Sequence, residues 1–342
     1  MAGNGQLGER YSRQVLFAPI GAEGQRRLGG SSVAVIGCGA TGSVIAGLLA
    51  RAGVGRLRII DRDYVEASNL QRQALFDEND AAESVPKAVA AARKISAFNS
   101  AITVEPQVAD LIPSNAQQLL SQADLLLDGT DNFETRYLIN DFAVSTSKPW
   151  IYAAAVGSYA ATMNIVPGET ACLACLFPES PRGVVETCDT AGILNSAANL
   201  VGSVAATEAI KVLVGRRAHL RSTLLAWDMW TSEQSEVAAA YPRSDCEVCG
   251  KRNFVHLRGE HRPQITLCGR NSVQIHERER SVDFAELTTR LEPHGRVRHN
   301  QFVLKFWLDP YELTLFADGR AIVKGTTDTG VARSLYARFV GS

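Results

Sequence analysis

The strongest constraint on the fold lies in residues 33–61. A short apolar strand, Val-Ala-Val-Ile over 33–36, runs into Gly37-Cys-Gly-Ala-Thr-Gly42. An apolar helix over 43–52 follows and stops at Gly53, and a second strand over 57–60 ends at Asp61, 19 residues after the last glycine of the turn. Strand, glycine turn, helix, strand and acid, in that order, make the βαβ unit of a dinucleotide-type fold. The alternation continues with a helix over 87–98, a strand over 102–105, a helix over 115–122, a strand over 124–127, a helix over 134–147 and a strand over 150–154. Such a pattern predicts an α/β fold, a Rossmann-like, mostly parallel sheet covered by helices.

After Gly157 the period changes. A strand-like stretch over 160–166 leads to a loop with Cys172 and Cys175, then to a long helix over 192–214 and to Cys246 and Cys249. Beyond residue 250 the pattern is mixed, with strands over 266–267, 273–275, 302–307 and 312–316, helices over 283–291 and 329–339, and an Asp318-Gly319 turn signal. Charge shifts at the same place. Residues 251–342 carry 15 Lys/Arg against 10 Asp/Glu, and five of the six histidines, His256, His261, His276, His294 and His299. Two domains are therefore expected, 1–250 and a small α+β domain over 251–342. The five histidines include no i, i+4 helical pair, so a metal site there is not expected.

The whole chain is nearly neutral, with 35 Lys/Arg and 36 Asp/Glu, which gives no field for nucleic acid or membrane partners. The N-terminal stretch has no apolar secretory core, and the best apolar run, 197–215, is broken by Glu208 and Lys211, so a cytoplasmic protein is expected. In a reducing compartment spaced cysteines read as metal ligands before disulfides. Cys172-x-x-Cys175 and Cys246-x-x-Cys249, 70 residues apart and without histidine, suit a closed tetrahedral zinc site that staples the crossover segment to the end of the domain.

A glycine turn at a helix N-terminus binds phosphate through free N–H groups and the helix dipole. Gly37, Gly39 and Gly42 alone fit a purely geometric βαβ turn equally well. Asp61 adds an acceptor for ribose hydroxyls. Then come Asp63, Ser68-Asn-Leu-Gln-Arg-Gln73, Pro86-Lys87 and Asp128-Gly-Thr-Asp-Asn132, polar groups at strand ends, where open α/β sheets bind ligands. Cleaving a triphosphate needs such cations and a carboxylate for Mg²⁺. An NAD-dependent oxidoreductase, with Tyr152 or Tyr159 near the switch point, and a non-catalytic zinc-stapled scaffold are the alternatives. Cys188 stands alone on a polar loop, where Arg182 and the following helix N-terminus would favour a thiolate, Cys38 reads as a packing residue, and Cys268 as structural.

The ordered motifs Arg10-Tyr-Ser-Arg-Gln14, the glycine turn, Ser68–Gln73, Pro86-Lys87, Asp128–Asn132, the two Cys-x-x-Cys pairs and Thr187-Cys-Asp-Thr-Ala-Gly192 resemble the MoeB/ThiF family, relatives of ubiquitin-activating enzymes, from about residue 10 to 250. The resemblance implies adenylation of the C-terminal Gly-Gly carboxylate of a small ubiquitin-like sulfur carrier, with ATP and Mg²⁺, in thiamin thiazole or molybdopterin synthesis. It implies that Gly39 and its neighbours face the phosphates, Asp61 holds the ribose, and Asn69, Arg72 and Lys87 bind the triphosphate. Gln73 and Asn132 belong to the same motifs, and Asp63 stands two residues after Asp61. Asp131 is implied to ligate Mg²⁺, and Arg13 to reach in from the other subunit of a homodimer. Cys188 matches the position that in ThiF-like members joins the carrier covalently. A separate sulfur donor is implied, since no rhodanese-like extension is visible. The family usually has glycine where this chain has Ala40. The stretches 268–275 and 311–320 resemble an extension on some bacterial members, with no known chemistry.

Overall fold

The computed structural model describes residues 9–179, 191–260, 265–267, 271–275 and 282–341. The chain divides into two units, Met1–Glu260 and His261–Ser342. In chain order the first unit holds α1 (Gly21–Gly30), β1 (Ser32–Ile36), α2 (Ala40–Ala52), β2 (Arg56–Ile60), α3 (Lys87–Phe98), β3 (Thr103–Gln107), α4 (Pro113–Leu120), β4 (Leu125–Asp128) and α5 (Phe133–Thr146). There follow β5 (Trp150–Val156), β6 (Tyr159–Ile165), α6 (Asn195–Leu213), β7 (Thr223–Asp228) and β8 (Glu233–Ala238).

The strands form one sheet in the order β3-β2-β1-β4-β5-β6-β7-β8. The first five are parallel, and β1 sits between β2 and β4, with Val33 opposite Leu57 on one side and Leu125 on the other. The run Val33–Ile36 is apolar at every position because both faces of a central parallel strand are covered. One face packs on α2, α3 and α6, and the other on α4, α5 and the cysteine loops. From β5 onward the pairing is antiparallel. Gly157 adopts φ +58° in a tight turn to β6, and a connection that short cannot bring the chain back parallel. Pro113 starts α4 two residues before the expected position, since its fixed φ suits the first helical residue.

From β1 the chain winds outward to β2 and β3, then returns to β4 on the other side. The crevice at the carboxyl ends of β1 and β4 is thus the topological switch point.

The second unit contains β9 (Ile265–Leu267), β10 (Ser272–Ile275), α7 (Phe284–Leu291), β11 (Arg296–His299), β12 (Val303–Leu308), β13 (Tyr311–Phe316), β14 (Ala321–Lys324) and α8 (Thr329–Phe339). Its described strands make an antiparallel sheet in the order β11-β12-β13-β14-β10-β9. One face buries Val273, Leu304, Phe306, Leu313 and Val323 against Phe284, Leu287, Leu335 and Phe339 of the two helices.

The units part ten residues beyond the expected boundary at 250. Residues 251–260 stay with the first unit because Asp141 of α5 accepts hydrogen bonds from the N–H groups of His256 (2.9 Å) and Leu257 (3.2 Å), and Tyr137 stacks on His256 at 4.9 Å. His294 and His299 pack against Phe339 and Phe284 respectively. Arg182, Cys188, His261, Cys268 and His276 lie outside the described residues. Among the described residues no helix is long and apolar enough to cross a membrane.

Candidate nucleotide site and cysteine centre

Three glycines interlock at the switch point. A Cβ on Gly42 would lie 1.9 Å from the carbonyl oxygen of Gly37, and one on Gly129, just after β4, would lie 2.4 Å from the same oxygen. Gly37 itself has φ +81°, and its Cβ would meet the Gly129 oxygen at 2.7 Å. These positions demand glycine for packing alone. Gly39 does not, since the nearest atom to its would-be Cβ is Nε2 of Gln73, at 3.8 Å. Gly39 therefore borders open space where α2 begins, at the positive end of the helix. Gln73 is 3% exposed, yet its Oε1 has no hydrogen-bond partner. A buried, unpartnered amide beside an open glycine is what a polar ligand would satisfy. Ala40 is the first residue of α2, a helical position that favours a methyl group over a hydrogen.

At the end of β2, Asp61 is buried and accepts from the N–H groups of Cys38 (2.6 Å) and Asp63 (2.8 Å). It ties the glycine turn to the neighbouring strand end, and burial pushes its carboxyl pKa up. Lys87, buried at the start of α3, donates to Asp63 at 3.2 Å. Burial works against its charge, but Asp63, then Asp61, and Asp131 further off outweigh it, so its pKa is raised and the ammonium stays charged at neutral pH. Burial pushes the Cys38 thiol up, consistent with a packing residue.

The Ser68–Gln73 motif is a tight turn locked by its own groups. Asn69 is buried, its Oδ1 accepts from the Glu66 N–H, and its carbonyl accepts from the N–H groups of Arg72 and Gln73. Arg72 donates back to the Ser68 carbonyl at 2.8 Å.

The segment after β4 is fixed atom by atom. Asp128, fully buried, accepts from the N–H (2.8 Å) and hydroxyl (2.7 Å) of Thr130 and from Nε of Arg136 (2.9 Å). Arg136 also donates to the Thr130 carbonyl at 2.6 Å, and its guanidinium stands 5.1 Å from the ring centroid of Tyr152. Asn132 caps α5 by accepting from the Thr135 N–H. Asp131 is left exposed, and its carboxylate makes no hydrogen bond among the described residues. Sequence reasoning passed over Arg136. The available signal was a charge in the buried stretch 136–144 of α5, where Asp141 is the other.

In the N-terminal motif Arg10 donates to the Phe98 carbonyl, Tyr11 is buried under the Asn99 amide, and Gln14 donates to the Ala52 carbonyl. Arg13 is the member with no such anchor, exposed on the turn Ser12–Val15 beside Leu16 (74% exposed) and Phe17 (60% exposed). Of the tyrosines named for hydride chemistry, Tyr152 is buried against Arg136 and Tyr159 is exposed at the start of β6.

The sulfur atoms of Cys172, Cys175, Cys246 and Cys249 all lie within 4.8 Å of one another. Three separations are 3.3, 3.7 and 3.8 Å. A tetrahedron with zinc–sulfur bonds of about 2.3 Å has edges of ~3.8 Å, so four thiolates and no other donor fit zinc and close its coordination. Asn140 of α5 accepts from the Leu173 N–H between the first two cysteines, and α5 clasps the chain beyond the last one through Asp141.

Fold and site together define a doubly wound α/β protein with an open glycine turn at its switch point and a four-cysteine cluster. The ThiF family model matches residues 11–248, and the chain belongs to that family. It is 43% identical to the sulfur carrier protein ThiS adenylyltransferase of Bacillus subtilis, a match covering 97% of this chain and 99% of that one. With the sulfur carrier protein adenylyltransferase of Thermus thermophilus it shares 39% identity over 71% of this chain and 90% of the relative. The fold matches the crystal structure of Escherichia coli MccB with ATP at a TM-score of 0.61 and 24% identity, over 70% of this chain and 74% of that one.

Proposed function

We propose that the protein is an ATP-dependent adenylyltransferase that activates the C-terminal Gly-Gly carboxylate of a small ubiquitin-like sulfur carrier. The observation that carries this reading is the switch-point constellation: open Gly39, unpartnered Gln73, charged Lys87 and exposed, unpaired Asp131, gathered in a ThiF-family chain. The near full-length match to a ThiS adenylyltransferase favours a carrier that serves thiamin thiazole synthesis over one that serves molybdopterin synthesis.

The reaction joins two anions. A carboxylate oxygen of the carrier bonds to the α-phosphorus of ATP, the bond from that phosphorus to the bridging oxygen breaks, and pyrophosphate leaves with the electron pair. The protein must offset repulsion and hold the attacking oxygen in line. Lys87 and Arg72 supply positive charge to the phosphates, the N–H groups at the start of α2 donate to the phosphate chain next to Gly39, and Asp61 and Asp63 face the ribose side. Asn69, Gln73 and Asn132 complete the polar lining. Asp131 is the side chain suited to hold Mg²⁺, which when bound neutralises phosphate charge. Cys172, Cys175, Cys246 and Cys249 would hold zinc, which contributes folding energy and not chemistry.

Arg13 serves a second copy of the chain in a homodimer. Its exposure beside Leu16 and Phe17 supports this, because a cation flanked by exposed apolar side chains suits an interface. The Cys188 thiolate attacks the acyl carbon of the carrier adenylate, the bond from that carbon to the AMP oxygen breaks, AMP leaves, and a thioester holds the carrier. The chain after it returns to the carboxyl edge, where Gly157 and Leu194 exchange backbone hydrogen bonds with Gly192 and Gly157, and Asn195 donates to the Gln71 carbonyl at 3.2 Å. A separate cytoplasmic sulfur donor then displaces the carrier as a thiocarboxylate.

The test is mass spectrometry of Gly-Gly-ended carriers after incubation with the protein, ATP and Mg²⁺. An acyl-adenylate or a Cys188 adduct is expected. Absence of both, together with no carrier-dependent ATP–pyrophosphate exchange, refutes the reading.

A further inference from the structure

Between β4 and α5 every polar side chain but one makes a hydrogen bond among the described residues. Asp128 holds the N–H and hydroxyl of Thr130, Arg136 holds the Thr130 carbonyl, Gly129 is wedged against Gly37 and Gly42, and Asn132 caps α5. The remaining group is the exposed carboxylate of Asp131. Helix capping and a glycine contact would suffice to end a strand and start a helix. They do not explain a buried ion pair, which costs desolvation that apolar residues of the same volume would avoid. Arg136 and Asp128 are 5% and 0% exposed, and the guanidinium lies between the ring centroids of Tyr152 (5.1 Å) and Phe133 (5.3 Å). A planar fork packed against two rings and bonded at two of its nitrogens has one orientation.

We propose that Arg136 is a positioning residue for adenylyl transfer: acting through Asp128 and the carbonyl of Thr130, it fixes where the Asp131 carboxylate stands. The proposal rests on the reading of the site given above. Arg136 does not touch substrate. It sets the backbone on either side of Thr130, and Asp131 is the next residue. A lysine in its place keeps the charge but offers a single nitrogen, which cannot reach Asp128 and the Thr130 carbonyl in the same fork. A displaced carboxylate weakens the hold on Mg²⁺ and on the phosphates it carries, and a misplacement of about 1 Å costs roughly 100-fold in rate.

The experiment measures carrier-dependent ATP–pyrophosphate exchange against Mg²⁺ concentration for wild type, Arg136→Lys and Asp128→Asn, with the folded fraction of each followed by thermal unfolding. Asp128→Asn keeps acceptor oxygen for Thr130 and drops the charge that orients the guanidinium. Both variants are expected to lower kcat by about 10- to 100-fold and to raise the Mg²⁺ concentration at half-maximal rate several-fold, with KM for the carrier unchanged. A purely structural role predicts activity that falls only with the folded fraction, at an unchanged Mg²⁺ midpoint, and that result for both variants overturns the proposal. If the wild-type protein shows no exchange, the adenylyltransferase reading fails and takes this one with it. Exchange by the wild type, equalled by folded Arg136→Lys, refutes the positioning role alone.

Discussion

The two ends of helix α5 hold their cargo in opposite ways. At its N-terminus, residues 128–132 arrange the chain so that one acid is left free, and the neighbouring glycine turn leaves one glycine open and one amide unpartnered. Toward its C-terminus the helix is bound to backbone on three sides: Tyr137 donates to the Phe177 carbonyl, Asn140 accepts from Leu173, and Asp141 accepts from His256 and Leu257, and the chain segments so held carry the four clustered sulfurs. One end has unmet bonding capacity, as a site for a transient ligand must. At the other, four thiolates would fill the tetrahedral coordination of a metal and leave no place for a further ligand. The same helix serves both because its buried face carries side chains that bond outward to backbone, so each end borrows its rigidity from the middle.

The cysteine end should show the larger effect when broken. Cys246→Ser removes one of four thiolates, and loss of a structural metal ranks among the few single changes that cost more than about 4 kcal/mol. Bound zinc measured by atomic emission should fall from one per chain to none, and proteolysis should open around residues 171–177 and 243–257. Retention of zinc and of the unfolding midpoint would show that the centre is not the staple described.

At the open end, Asp131→Asn should leave stability almost untouched, because that exposed carboxylate makes no hydrogen bond among the described residues and only adds, behind Asp63 and Asp61, to the negative charge around Lys87. Carrier-dependent exchange should drop by about 100- to 1,000-fold, the usual loss when one charge-stabilising group is removed from a transition state. A stable variant with near wild-type exchange would erase the contrast between the two ends.

Asp141 gives the contrast a pH signature. Burial pushes its pKa up to about 6, against an ordinary carboxylate near 3.8. The folded chain therefore binds a proton between about pH 4 and 6 that the unfolded chain has already released. The group's contribution to stability falls as pH rises through that window, by roughly 2–3 kcal/mol, and is flat above it. Urea unfolding of wild type and Asp141→Asn, compared between pH 4.5 and 7, should show this difference. Parallel pH dependence in the two proteins would mean that Asp141 is not buried as described.

Sequence reasoning reached the two ends unequally. The Cys-x-x-Cys spacing and the glycine turn were legible because tetrahedral ligation and backbone crowding leave few residue types free. The parallel character of the sheet up to β5 followed from alternation, and so did the places of Asp131 after a strand and of Lys87 at a helix start. Arg136, Asn140 and Asp141 were not legible, because each bonds to backbone brought close only by the fold, and backbone partners leave no trace in side-chain pattern. The boundary at Glu260 was hidden for the same reason, since what holds residues 251–260 is one buried carboxylate over a hundred positions earlier.

The finest division runs through the glycine turn itself. Gly42 and Gly39 look alike in sequence, but only Gly42 faces a carbonyl at 1.9 Å from its would-be Cβ, while Gly39 meets nothing nearer than 3.8 Å. Gly42→Ala gains helix propensity at the third position of α2 and still should cost about 1–3 kcal/mol, because the methyl must push the strand-end turns apart. Gly39→Ala meets nothing nearer than 3.8 Å and should destabilise the fold less than Gly42→Ala does. Its effect should fall on the nucleotide, as a several-fold rise in KM for ATP, since a methyl there stands where the phosphate chain approaches the backbone. Equal destabilisation by the two substitutions would mean that Gly39, too, is a packing residue, and the open end of the comparison would lose its centre.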